Sequence, residues 1–280
     1  MRRRPTATEH RRLRTTRKHR RRPRYPQVSA TALPLANQTA IVTGAAQSIG
    51  LAIAQRLATA GARVIVADRH PPPATENFIY QPCDVSDESS VQQLMTLAGE
   101  HGGLDILVNN AGIGLETPLA ETTLADWEQL MAVNVRGVFL CAKHALPVMR
   151  LTGRGSIINI GSIEGNGANP LHAAYAASKG AVHALTRNIA LEYGSANIRC
   201  NAIAPGWIET PFNEQLINQY PDADATRAAI KQLHPLRQLG SVEDIANLTF
   251  FLASADSAFA NGQIYVLDGG RTACLPLPPL

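Results

Sequence analysis

Between Thr39 and Leu267, short uninterrupted apolar runs alternate with longer stretches whose apolar residues recur at helical spacing. That alternation constrains the fold more than any other feature of the chain. A strand that is apolar throughout must be covered on both faces, and a sheet meets this condition when its crossovers are helices packed on either side. The runs are Thr39 to Val42, Arg63 to Ala67, Phe78 to Gln81, Leu104 to Val108, Ser156 to Ile160, Arg199 to Ile203 and Gln263 to Leu267. Helical periodicity fills Ile49 to Ala60, Ser89 to Gly99, Leu124 to Arg150, Leu171 to Tyr193 and Val242 to Ala253. With right-handed crossovers, the pattern predicts a single-domain α/β fold with a doubly wound, mostly parallel sheet and ligands beyond the carboxyl ends of its strands.

One interval interrupts the rhythm. Residues 207–240 are polar and punctuated by Pro211, Pro221 and Pro235, so this stretch is expected to pack less tightly and to form a lid over a substrate. The folded domain is expected over 35–270, followed by a Pro-rich tail over 271–280.

Charge is divided unevenly. Met1 to Arg24 carries 12 Lys+Arg and one acid, Glu9; taken from the chain's 26 basic and 22 acidic residues, this leaves 14 and 21, an acidic body of −7. So Arg-rich a segment buries too little apolar surface to offset its ordering entropy, and 1–34 is expected to be a disordered basic extension. It reads as a stretch translated from a start upstream of the true one, as an arm for nucleic acid or anionic surfaces, or as a transit peptide. Nothing in the domain itself calls for nucleic acid. Cys83, Cys141, Cys200 and Cys274 form no C-x-x-C pair and no His is spaced for zinc, so buried thiols and no metal site are expected. No apolar run approaches the roughly 18 to 20 residues that span a bilayer, and no charged start leads into a secretory segment. The expectation is a cytoplasmic protein with no membrane partner.

The first strand ends in Thr43-Gly44-Ala45-Ala46-Gln47-Ser48-Ile49-Gly50, whose small residues let backbone approach a pyrophosphate at a helix N-terminus. Gly44, Gln47, Ser48, Ile49 and Gly50 are therefore candidate cofactor contacts. Asp68 ends the second strand, 18 residues beyond Gly50, where a carboxylate accepts both ribose hydroxyls of NAD and repels the extra phosphate of NADP. The plain alternative is a surface pair between Asp68 and Arg69.

With these motifs in place, the chain resembles the short-chain dehydrogenase/reductase family from about Leu35 to Gly270, which implies a Rossmann fold. The glycine turn is similar to the family's T-G-x-x-x-G-x-G, with Ser48 standing for the middle glycine. Asp84-Val85 matches the acid that contacts adenine and its neighbour, and Asn109-Asn110-Ala111-Gly112 matches N-N-A-G after the fourth strand. Pro205-Gly206 resembles the P-G that follows the sixth strand, with Ile208 and then Thr210, which the resemblance places on the nicotinamide amide. Asp268-Gly269-Gly270 resembles the D-G-G that closes the last strand. The cofactor set implied is thus Gly44, Gln47, Ser48, Ile49, Gly50, Asp68, Asp84, Val85, Asn110, Ala111, Gly112, Tyr175, Lys179, Pro205, Gly206, Ile208 and Thr210, with NAD as cofactor.

The catalytic residues implied by the resemblance are Asn134, Ser162, Tyr175 and Lys179. By itself Tyr-x-x-x-Lys is a weak signal, but Tyr175 and Lys179 fall on one face of a helix and Ser162 lies at the carboxyl end of a strand. A neighbouring ammonium is expected to lower the tyrosine pKa from about 10 by roughly 1 to 3 units. Tyr175 would then exchange a proton with an alcohol, Ser162 would hold the substrate oxygen, and Lys179 would tune Tyr175 and bond the nicotinamide ribose. As in the family, Asn134 would hold a water in a relay from Lys179. Glu164, His172 and Trp207 are expected to face the substrate with Ser162 and Tyr175, favouring a compact polar secondary alcohol or ketone; alternatively, Glu164 and His172 pair with each other. Two rival readings remain, a 3-oxoacyl-[acyl carrier protein] reductase and a non-catalytic NAD-binding regulator whose tail binds nucleic acid. The resemblance also implies a homotetramer or homodimer built on the helices that carry Asn134 and Tyr175.

Overall fold

The computed structural model describes residues 33–73 and 78–273. The expected basic extension up to residue 32 and the tail from 274, with Cys274, lie outside the described residues. Seven strands, β1 (Thr39–Thr43), β2 (Arg63–Asp68), β3 (Phe78–Pro82), β4 (Ile106–Asn109), β5 (Gly155–Ile160), β6 (Ile198–Pro205) and β7 (Ile264–Leu267), form one sheet. Their order is β3-β2-β1-β4-β5-β6-β7, and every pairing is parallel. The chain winds outward one way from β1 and the other way from β4, so a crevice opens between their carboxyl ends.

The strands alternate their side chains between two apolar layers. Ile41, Leu107 and Ile157 point to one layer, with Leu94 of α2 (Glu88–Glu100) and Met149 of α4 (Gly137–Thr152). Val42, Val108 and Ile158 point to the other, with Ile53 and Leu57 of α1 (Ser48–Thr59) and Ile245 and Leu252 of α8 (Val242–Ala253). Burial on both faces explains why these strands read as continuous apolar runs. Cys83, Cys141 and Cys200 are free and buried.

The structure departs from the sequence reading at identifiable places. The helix expected from Leu124 to Arg150 is α3 (Leu124–Met131), a π-helical turn over Ala132–Arg136, and α4. The extra residue in the turn swings Asn134 inward, where it is 1% exposed. α5 (Ala173–Tyr193) begins two residues later than Leu171, whose φ of 68° is left-handed and incompatible with a helix. The strand expected from Leu104 starts at Ile106 because the Asp105 carboxylate accepts from Thr39 N at 2.9 Å and pairs with Arg154 at 2.7 Å. Within 207–240 the chain folds into α6 (Pro211–Ile217) and α7 (Ala223–Gln232). Within this segment Ile217, Ile230 and Leu239 form a small core, with Trp207 and Ala223 against it, while most of its other residues are exposed or half-buried. A bridge between Ile208 and Gly240 closes its base.

Candidate active site

The glycine turn after β1 is built for close backbone approach. Gly44 has a φ of 62°, and a Cβ there would stand 2.7 Å from Ala111 Cα. A Cβ on Gly50 would meet the Gly44 carbonyl and, at 2.5 Å, Asn110 Nδ2. Asn110 holds the turn, donating from Nδ2 to the carbonyls of Thr43 (2.9 Å) and Gly44 (2.8 Å). Thr43 Oγ1 in turn accepts from the amides of Asn110 and Ala111, so Thr43 is a site-shaping residue that the sequence reading did not single out. Ser48, in place of a glycine, has a φ of 54°, a conformation that costs an L-residue roughly 1 to 2 kcal/mol.

Gln47 offers no side-chain hydrogen bond to the first turn of α1, and that turn holds no acid. The helices α2, α3, α6, α7 and α8 are each capped by a side chain. Open amides at α1 are therefore available to an anionic group. Asp68 lies at the end of β2, held by the backbone amides of Ala46 (3.0 Å) and His70 (3.1 Å). Asp84 accepts from Ser86 N and Oγ, and this bonding holds its carboxyl below the usual range. Val85 packs against Gly137, immediately after the π-turn. On the other side of the crevice, Gly206 N bonds the Leu267 carbonyl, Ile208 is buried, and Thr210 caps α6 through Asn213 N. A glycine cradle, open helix amides and a carboxylate at the end of β2 fit a dinucleotide.

The four residues expected to be catalytic converge at the carboxyl end of β5. Ser162 lies beside the Tyr175 phenol, and its Oγ caps the following turn by accepting from Glu164 N at 3.1 Å. Lys179 Nζ donates to the Ile160 carbonyl at 2.9 Å and stands 5.5 Å from the centre of the Tyr175 ring. Asn134 Oδ1 accepts from Ile113 N at 2.9 Å, while Nδ2 donates to Ile113 O and to Ser178 Oγ. A Cβ on Gly112 would lie 3.4 Å from Asn134 Oδ1 and 3.6 Å from Lys179 Nζ, which places that glycine beside both.

The electrostatics correct one expectation. Burial pushes Tyr175 up to about 12, with Glu164 adding to the rise, instead of Lys179 drawing it down. Burial also lowers Lys179 to about 8. Lys179 is buried and Tyr175 half-buried, and desolvation disfavours whichever form is charged.

The side chains expected to face the substrate are arranged differently. Glu164 and His172 pair with each other, the alternative that the sequence left open: His172 Nδ1 lies 2.9 Å from Glu164 Oε2. Its Nε2 lies 2.7 Å from Glu116, a partner with no signal in the sequence. The hydrogen bond to Glu164 dominates in raising His172 to about 9, so the ring is an imidazolium between two carboxylates. Its centre is 6.0 Å from that of Tyr175, edge to face. Trp207 packs into the core of the 207–240 segment instead of standing free. His183, also unforeseen, lies beneath the Ser162 turn; a Cβ on Gly161 would collide with its Nε2, and one on Gly165 with its Cε1. Burial lowers His183 to about 4, so it fills this space as a neutral ring.

Comparison with known proteins identifies the family. A family model described as enoyl-(acyl carrier protein) reductase matches residues 44–272. The 2-(R)-hydroxypropyl-CoM dehydrogenase of Xanthobacter autotrophicus is 38% identical over 252 residues, covering 85% of this chain and 99% of that protein. The ligand-free aldohexose dehydrogenase of Thermoplasma acidophilum superposes with a TM-score of 0.85 at 30% identity, covering 89% of this chain and 99% of that one. A gluconate 5-dehydrogenase of Burkholderia cenocepacia, in complex with NADP and tartrate, gives 0.80 at 34% identity, covering 87% and 98%. The chain belongs to the short-chain dehydrogenase/reductase family, as an oxidoreductase of CH–OH groups that uses a nicotinamide dinucleotide.

Proposed function

We propose that the protein is an NAD-preferring dehydrogenase of a compact, polar secondary alcohol, or a reductase of the matching ketone, with Asn134, Ser162, Tyr175 and Lys179 as its catalytic set. The observation that carries this reading is the Lys179 ammonium 5.5 Å from the centre of the Tyr175 ring, with Ser162 beside the phenol at the carboxyl end of β5. Ser162 and Tyr175 grip the substrate oxygen from two sides. In the reducing direction Tyr175, protonated at neutral pH, gives its proton to the oxygen of the carbonyl as that oxygen gains charge. In the oxidising direction the tyrosine oxygen takes the proton of the alcohol. A dinucleotide held by the glycine turn and Asp68 would supply the hydride acceptor or donor. Lys179, fixed by the Ile160 carbonyl, would bond the nicotinamide ribose, and Asn134 holds the backbone of Ile113 at the entrance of a proton path.

Preference for NAD rests on Asp68. Its carboxylate is oriented by two backbone amides and retains acceptor capacity for ribose hydroxyls, whereas a 2′-phosphate would meet like charge. A homotetramer or homodimer is supported by an apolar groove of about 890 Å³ on the outer faces of α3, the π-turn and α5, lined by Trp127, Met131, Val135, Phe139, Ala184 and Leu185. No helix among the described residues is long and apolar enough to cross a membrane, and a cytoplasmic location is part of this reading. The deciding experiment is an initial-rate screen of secondary alcohols and ketones with NAD(H) and NADP(H). Turnover with NAD(H) that is abolished in Tyr175→Phe supports the reading, and turnover surviving in that variant sinks it.

A further inference from the structure

Glu164 and His172, the charged side chains expected in the pocket, are already engaged. Glu164 is bonded by His172, and His172 spends both ring nitrogens on Glu164 and Glu116. One charged group on the same edge retains unused capacity. Arg271, in the helical turn Arg271–Ala273 after β7, donates from Nη2 to Asn169 Oδ1 at 3.0 Å. Its Nη1 is buried and has no partner among the described residues.

The turn that carries this guanidinium is held in place on two sides. Asp268 fixes the turn by accepting from Gly270 N (2.9 Å), Thr272 N (2.7 Å) and Thr272 Oγ1 (2.7 Å). Gly269 and Gly270 lie against His234, Pro235 and Leu236, where the 207–240 segment ends. Arg271 therefore lies between that segment and the loop leading into α5. Its hydrogen bond to Asn169 is on the loop that leads into α5, and its charge helps to hold the Glu164 carboxyl, two residues from Ser162, ionised. A buried N–H of a permanent cation without an acceptor is costly, and a carboxylate is the acceptor that a guanidinium binds best.

We propose that Arg271 is a specificity-determining residue whose free Nη1 receives the acidic group of the substrate, so that the pocket selects hydroxy-acid or keto-acid anions over neutral alcohols of the same size. This inference rests on the dehydrogenase reading above. The His172 imidazolium and the Arg271 guanidinium together offset the two negative charges of Glu164 and Glu116, so an anion can approach a site that also contains acids.

The test pairs short hydroxy acids with their carboxamides, which keep the shape and an acceptor oxygen but lose the charge. Wild type should show kcat/KM about tenfold or more higher for the acid, mostly through KM, and Arg271→Gln should bring that ratio close to one, with partial recovery in Arg271→Lys. A second measurement does not need turnover: short keto-acid anions should raise the Tm of the NADH-loaded wild type but not of Arg271→Gln, with circular dichroism confirming that the variant folds. Amides equal to acids in wild type, or an unchanged ratio in folded Arg271→Gln, overturn the assignment of Arg271 while leaving the dehydrogenase standing. Loss of all turnover preference together with no anion-dependent Tm shift in wild type also overturns it. Absence of turnover with every alcohol, alongside a Tm shift that depends on Arg271, instead overturns the dehydrogenase reading and supports the anion site.

Discussion

His172 bonds Glu164 at 2.9 Å on one side of its ring and Glu116 at 2.7 Å on the other, joining the loop after β4 to the turn after β5 through one imidazolium. Its pKa in the folded chain, about 9, lies above the ordinary 6.5, so the stabilisation is complete below about pH 6.5 and is lost as pH rises through 9. Roughly 1 to 3 kcal/mol is at stake. The Tm of wild type should fall more steeply between pH 7 and 10 than that of His172→Gln. Parallel curves across that window would show that the cross-link contributes nothing.

Tyr175→Phe removes the transferable proton without touching the glycine cradle. It should lower kcat at least a hundredfold while the Kd for the cofactor, read by fluorescence titration, stays within about twofold. A kcat above a tenth of wild type would assign the proton transfer to another group.

Asp68→Asn is a cleaner probe of cofactor choice than alanine, because its side-chain oxygen can still accept from Ala46 N or His70 N. Removing the charge should narrow the preference for NAD over NADP by about tenfold or more. A wild type that already prefers NADP contradicts the role given to Asp68.

Ser48 occupies left-handed backbone with a φ of 54°. Ser48→Gly should relieve strain and stabilise the protein by about 0.5 to 1 kcal/mol in urea unfolding, because glycine's lack of a Cβ outweighs its greater freedom when unfolded. A loss of stability would show that the serine side chain contributes more than its backbone strain costs.

Phe139 is 47% exposed on the rim of the apolar groove. If a second copy covers that groove, Phe139→Glu should reduce the mass measured by light scattering by at least half, since a buried unpaired carboxylate is strongly unfavourable. An unchanged mass would place the assembly interface elsewhere.

The sequence alone determined the features that depend on neighbours along the chain. Strands such as Ile106–Asn109 declare themselves by continuous apolarity, and Tyr175 and Lys179 share a face because they are four apart on a helix. Tertiary structure decided what depends on residues distant in sequence. Glu116 lies 56 positions from His172 and Asn169 lies 102 from Arg271, separations over which no periodicity links one residue to another. The inward turn of Asn134 arises where one extra residue enters a helix, a change too small to disturb the apolar spacing on either side. The same limit applies to the charges: Tyr175 and Lys179 are legible as a pair, but the direction of their shifts is set by desolvation, which exists only once the pocket has closed around them.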